Sequence, residues 1–120
     1  MPLKITLKPQ EKIIIAGAVL RNTKSTAQLI VENNVPILRE KEILREAEAD
    51  SPARRIYFVI QLMYIDRENI AEYHAMYWDL VRNFLQAVPS SLKSINAISD
   101  CILGDQHYKA LRLAKKLIEY

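Results

Sequence analysis

Two glycines, one cysteine and two histidines in 120 residues are shortages that remove several chemistries at once. Two glycines leave little room for a glycine-rich phosphate loop or a nucleophile elbow, both of which need backbone free of a Cβ. A lone cysteine, Cys101, cannot close an internal disulfide. Its neighbours Ile98, Ile102 and Leu103 favour a small buried hydrophobe over a reactive thiol. His74 and His107 fall in different helical segments, with no Cys, Asp or Glu at metal-ligand spacing, which argues against zinc. No apolar run approaches the length needed to cross a bilayer. Met1-Pro-Leu-Lys leads straight into a strand pattern, so no targeting segment is expected and the expected compartment is the cytoplasm. No residue constellation supports an enzyme, and neither a cofactor, a metal nor a membrane partner is expected.

What is present is ordinary for a globular protein: half the residues are hydrophobic and 26% are charged. A chain of this length should bury about two thirds of its unfolded surface, enough to fold without staples. The net charge of +3 permits an acidic partner, including nucleic acid, without demanding one.

Periodicity divides the chain. The first forty or so residues alternate as strands do and the last seventy follow the helical period, which predicts an α+β fold. An antiparallel β lobe of four to five short strands, with a charged connector, would occupy residues 1–50, and four helices would occupy 51–120, the two forming one compact unit. In Leu3–Lys8, Leu3, Ile5 and Leu7 face one way while Lys4, Thr6 and Lys8 face the other. Pro9-Gln-Glu11 turns the chain into the apolar run Lys12–Ala16, which suits a central strand. Gly17 marks a turn or bulge before Ala18–Arg21. Asn22–Ser25 reads as a polar turn, Ala27–Glu32 as a strand, Asn33-Asn34 as a hairpin turn, and Val35–Arg39 as an edge strand because of Pro36. Residues 40–50 read as a short helix or an exposed connector anchored by Ile43 and Leu44.

Ser51 and Pro52 have the chemistry of an N-cap and a first helical position. The helix they open is apolar all round, so it must be covered on several sides. Arg54 and Arg55 stand on its first turn, where the helix dipole is already positive. They either pair with Glu46, Glu48 or Asp50 or hold an external anion, since a guanidinium serves both by the same geometry. Asp66 is placed to cap a second helix, with Ile70, Tyr73, Tyr77, Leu80, Phe84 and Val88 as its apolar stripe and Pro89 as its stop. Ser90 or Ser91 opens a third, with Leu92, Ile95, Ile98 and Ile102 inward and Gly104 as its left-handed end. Asp105 caps a fourth, with Tyr108, Leu111, Ala114 and Leu117 or Ile118 inward and Lys109, Arg112, Lys115 and Lys116 outward. Helices three and four should form an antiparallel hairpin. Tyr73, Tyr77 and Trp78 fall on about one face of the second helix, either as packing or as a groove for a partner helix. The basic face of the last helix is either solvated surface or a track for a phosphate backbone.

Four segments carry a resemblance: Leu3-Lys-Ile-Thr-Leu-Lys-Pro9, Glu11-Lys-Ile-Ile-Ile-Ala-Gly-Ala-Val-Leu-Arg-Asn22, Leu38-Arg-Glu-Lys-Glu-Ile-Leu44 and Ser51-Pro-Ala-Arg-Arg-Ile-Tyr-Phe-Val-Ile-Gln-Leu62. In order and over essentially the whole chain, they resemble the bacterial flagellar regulator family FlbT. The resemblance implies a post-transcriptional repressor that acts on the 5′ untranslated leader of flagellin mRNA, lowers translation and transcript stability, and works in opposition to a partner called FlaF. The strand lobe is also similar to the carbon storage regulator CsrA family, through Thr6, Lys8 and Glu11 with Ile13-Ile-Ile15 and through Leu38-Arg-Glu-Lys-Glu-Ile43. It departs from that family in lacking a glycine at Gln10 and in its helical second half. This second likeness implies that Thr6, Lys8 and Arg39 contact RNA.

The expectation is therefore a non-catalytic RNA-binding regulator. Arg21, Arg39, Lys41, Arg54 and Arg55 are its candidate cations, and Thr6 and Lys8 its strand contacts. The rival is a protein-binding adaptor in which Tyr73, Tyr77 and Trp78 dock flagellin or FlaF. A second copy of the chain could pair along the Val35–Arg39 edge.

Overall fold

A computed structural model describes residues 2–119, as five strands followed by four α-helices, an α+β order. The chain divides into two compact units, Met1–Ile43 and Leu44–Tyr120.

In the first unit β1 (Leu3–Leu7), β2 (Lys12–Ile15), β3 (Ala18–Arg21), β4 (Ala27–Val31) and β5 (Ile37–Arg39) form two small antiparallel sheets. One pairs β1 with β4; the other has the order β3-β2-β5. The apolar alternation explains why they close on each other. Ile5, Leu7 and Ile13 form a buried cluster, and Ile15, Leu29, Val31 and Ile37 pack against it, so both sheets contribute to one core. Leu3, at the strand's start, stays half exposed. The β2–β3 hairpin turns through Ala16 and Gly17, with φ of 52° and 86°; two consecutive positive φ values match the twist of the strands they join. Asn33-Asn34 is not a hairpin turn. β4 pairs with β1 and β5 with β2, so the two strands flanking the asparagines lie in different sheets. The connector starts as a 3-10 turn, Glu40–Glu42, and a second, Glu46–Glu48, follows in the next unit.

The second unit holds α1 (Pro52–Ile65), α2 (Ile70–Ala87), α3 (Leu92–Leu103) and α4 (His107–Ile118). Ser51 caps α1 as its side chain demands: its Oγ accepts the Arg54 N–H at 3.2 Å. Ile56, Val59, Ile60 and Met63 of α1 are buried, and the helix packs against both α2 and α4, as an all-round apolar surface requires. α3 packs on α4. Gln61, buried in this apolar helix, presents its amide to Leu44, accepting the backbone N–H at 2.8 Å and donating to the C=O at 2.9 Å. That double bond makes Leu44 part of the helical unit.

Several expected caps move. Asp66 ends α1 but caps no backbone N–H of α2; it accepts from the Asn69 amide at 2.9 Å and the Tyr73 hydroxyl at 2.6 Å, and Asn69 takes the position before α2. Gly104 has an ordinary φ of −89°, and the left-handed residue is Asp105 at φ 57°. Gln106 N–H bonds the Cys101 carbonyl at 2.7 Å and Asp105 N–H the Ile102 carbonyl at 3.1 Å, a Schellman ending. A Cβ at Gly104 would stand 3.3 Å from the Asp100 carbonyl oxygen, a tight contact that a shift of a few tenths of an ångström would relieve. α4 accordingly begins after Gln106, and His107 and Ala110 face inward in place of Tyr108. Leu92 is half exposed rather than inward. Cys101 is buried and free.

Candidate nucleic-acid interface

The turn between β1 and β2 and the end of β5 come together in the first unit. Glu11 is the link. One carboxylate oxygen accepts the Lys8 backbone N–H at 2.8 Å and the other meets the Arg39 guanidinium at 3.3 Å. Arg39 also donates to the Thr6 carbonyl at 2.8 Å, so it ties β5 to β1 across the two sheets. The Lys8 N–H, with Arg39 beside it, holds the Glu11 carboxyl below its ordinary value of 4.5. Glu40 accepts the Lys12 N–H at 3.2 Å. Around these groups lies an open cleft of about 570 Å³ lined by Lys8, Pro9, Gln10, Glu11, Arg39, Glu40 and Lys41. Gln10 holds φ 65° at the turn's tip.

Asn22 braces the same turn from behind. Its side-chain amide donates toward the carbonyls of Leu7 at 3.2 Å, Lys8 at 2.9 Å and Ser25 at 2.9 Å, and its oxygen accepts the Thr23 N–H at 2.8 Å. The backbone continues the pairing, with Asn22 N–H on the Glu11 carbonyl at 2.8 Å and Gln10 N–H on the Thr23 carbonyl at 3.0 Å.

Three of the seven residues expected to contact RNA thus line one cleft: Lys8, Arg39 and Lys41. Lys8 and Lys41 are exposed, and among the described residues their ammonium groups have no hydrogen bond or ion pair. Thr6 contributes its backbone carbonyl to Arg39. Arg21 lies elsewhere: it pairs with Lys12, whereas Arg39 pairs with Ile13, so strand alternation sends the two arginines to opposite faces of the sheet. Arg54 and Arg55 belong to the helical unit. Arg54 takes the local option and pairs with Asp50 at 2.7 Å. Arg55 is exposed at the edge of a groove of about 540 Å³, floored by Phe58, Val59 and Leu80 and flanked by Met76, Glu46 and Asp79.

The expected aromatic face is divided. Tyr77 is fully buried, its hydroxyl 2.8 Å from Ser99 Oγ, and burial pushes its pKa up to about 12. A buried tyrosine with a buried partner is core, not surface. Tyr73 is half buried and held by Asp66, whose hydrogen bond raises the tyrosine's pKa. Trp78 alone is exposed, its ring set edge-on to Tyr77 with centroids 5.0 Å apart. Sequence reasoning passed over Glu40 as a lining residue and Asn22 as the brace. The recurring Arg-x-x-Glu spacing, Arg39 to Glu42 and Arg45 to Glu48, was a readable signal for the 3-10 turn that places Glu40, since each glutamate accepts the arginine's backbone N–H and closes such a turn. Among the described residues no His, Cys, Asp and Glu group of three or more could hold a metal, and no helix is long and apolar enough to cross a membrane.

The braced turn and the arginine-tied end of β5 are built from the same segments that carry the resemblance. The family model "Flagellar protein FlbT" matches residues 3–120. The chain belongs to the FlbT family. Among its relatives is the probable flagellum biosynthesis repressor protein FlbT 1 of Bradyrhizobium diazoefficiens, 46% identical over all of this chain and 82% of the relative. The FlbT of Caulobacter sp. strain K31, also named a probable flagellum biosynthesis repressor, is 42% identical over all of this chain and 93% of its own length. The flagellum biosynthesis repressor protein FlbT of Caulobacter vibrioides is 38% identical over all of this chain and 86% of the relative. No solved structure matches the chain.

Proposed function

We propose that this FlbT chain is a cytoplasmic post-transcriptional regulator of flagellin synthesis. In this reading it binds the 5′ untranslated leader of flagellin mRNA, represses translation and promotes transcript decay, with no catalytic step of its own. The relatives' names support the coarser part, a repressing role in flagellum biosynthesis. The observation that carries the finer part is the convergence on one open cleft of Lys8 with Arg39 and Lys41, which lie more than thirty residues further along the chain. Lysines with free ammonium groups suit phosphates. Arg39, already tied to Thr6 and Glu11, sets the walls of the cleft. With only a few cations and two carboxylates in the lining, affinity would rest on base edges as well as phosphates, as suits a single-stranded loop.

The test is a titration of labelled flagellin leader RNA with the purified chain at two salt concentrations. Lys8→Ala with Lys41→Ala should weaken binding by roughly tenfold, and should flatten the salt dependence by about 0.7 in logarithmic slope for each phosphate no longer neutralised. Unchanged affinity in that double variant removes the cleft from the site. An adaptor that docks flagellin or FlaF has one observation in its favour, the apolar groove of the helical unit beside Arg55 and Met76. Saturable binding of flagellin or FlaF, with no leader binding, would establish it. A second copy pairing along β5, which lies at the edge of its sheet, would show as a dimer in solution.

A further inference from the structure

His74 of α2 and His107 of α4 stack with ring centroids 5.9 Å apart. His107 is only 3% exposed, and both of its ring nitrogens, with Nε2 of His74, are buried without a hydrogen-bond partner. Buried polar atoms are rarely left in this state. The Asp105 carboxylate approaches His107, its Oδ1 3.3 Å from Nδ1 but out of line for a hydrogen bond, and that same oxygen takes a hydrogen bond from Arg67 at 3.0 Å. His107 is also the first residue of α4, where the helix dipole is positive. The charged or titratable groups acting on it are Asp105 from the preceding turn, Arg67 from the turn before α2, and His74; α1 and α3, which pack on α4, bring none. Two of those three, Arg67 and His74, oppose a second positive charge.

We propose that the stacked His74–His107 pair is an acid-released latch, which holds the start of α4 against α2 while His107 is neutral and lets it go when His107 takes a proton. Burial, the largest influence, with Arg67 and His74 beside it, holds the His107 pKa below its ordinary 6.5 against the pull of Asp105. A local opening that hydrates the ring restores the ordinary value, so the open form binds the proton more tightly than the closed form. The opening equilibrium therefore rises as pH falls through the ordinary value, and levels off below the depressed one.

Amide hydrogen exchange on the intact chain tests this, between about pH 7.5 and about pH 5.5 and corrected for intrinsic rates. Protection at Ala110 and Leu111 should fall, by up to about tenfold, while that at Ile98 and Ile102 of α3 holds. His107→Gln should abolish the difference between the two pH values; His74→Phe, which keeps a ring in the stack, should leave it in place. If the glutamine variant does not fold, an NMR titration of the wild-type imidazoles decides: His107 must titrate below its ordinary value. Equal loss of protection in α3, unchanged protection in α4, loss of the pH effect in His74→Phe, or a His107 that titrates at or above its ordinary value through Asp105, would each overturn the latch.

Discussion

Single side chains with fixed donor and acceptor roles set much of the local structure. Asn22 faces carbonyl oxygens with its NH2 group, so Asn22→Asp should destabilise the β unit more than Asn22→Ala, because a carboxylate offers those carbonyls only repulsion. The alanine cost should be about 1 kcal/mol, measured by denaturant unfolding. Gln61→Leu fits the apolar helix better in isolation, yet it strips both partners from the Leu44 backbone. It should lower stability by about 1–3 kcal/mol, the cost of leaving buried backbone groups unpaired. Gln10 carries a conformational penalty at φ 65°, and Gln10→Gly should therefore be neutral or stabilising by about 1 kcal/mol in thermal unfolding. Residue identity made the Ser51 cap readable in advance, because a serine before a proline has few other uses at a helix start. It hid the roles of Asn22 and Gln61, since an amide's partners lie fifteen and seventeen residues away.

Elements were legible where their period was clean. β1 to β4 and all four helices form close to where alternation or helical spacing places them. Pairing was not legible, because a strand's sequence states which face is apolar and not which neighbour will cover it. The asparagines after β4 suggested a hairpin, but Leu29 and Val31 pack with the Ile5 and Leu7 side of the core and β4 joins β1. At the helix ends, Ser51→Ala should cost about 1 kcal/mol through loss of the Arg54 N–H partner, read as a drop in thermal midpoint. Gly104 was the obvious left-handed residue by composition. The positive φ instead falls on the next residue, Asp105, and Gly104 sits where a Cβ would meet the Asp100 carbonyl tightly.

At the scale of the whole molecule, stability depends on pH in two windows. Glu11, Glu48, Asp50, Asp66 and Asp105 are all held below their ordinary values by backbone or side-chain hydrogen bonds or by arginines. Depressed carboxylates bind fewer protons folded than unfolded. Their contribution is present above the ordinary values of 4.5 for Glu and 3.8 for Asp, and is lost as pH falls through the folded values. His107 adds a separate loss at higher pH, beginning near its ordinary 6.5, and unfolding followed from neutral to acid pH should show both. By itself the sequence determined the α+β order and the separation of strands from helices, because these follow from period and composition, and its four motif segments carried the resemblance to FlbT that the family match bears out. Only the tertiary structure decided that Lys8, Arg39 and Lys41 share a cleft while Arg21 faces away, that Tyr77 is core, and that two histidines far apart in the chain stack on each other. Those facts depend on strand register and helix rotation, and both are set by long-range packing that no local window of residues contains.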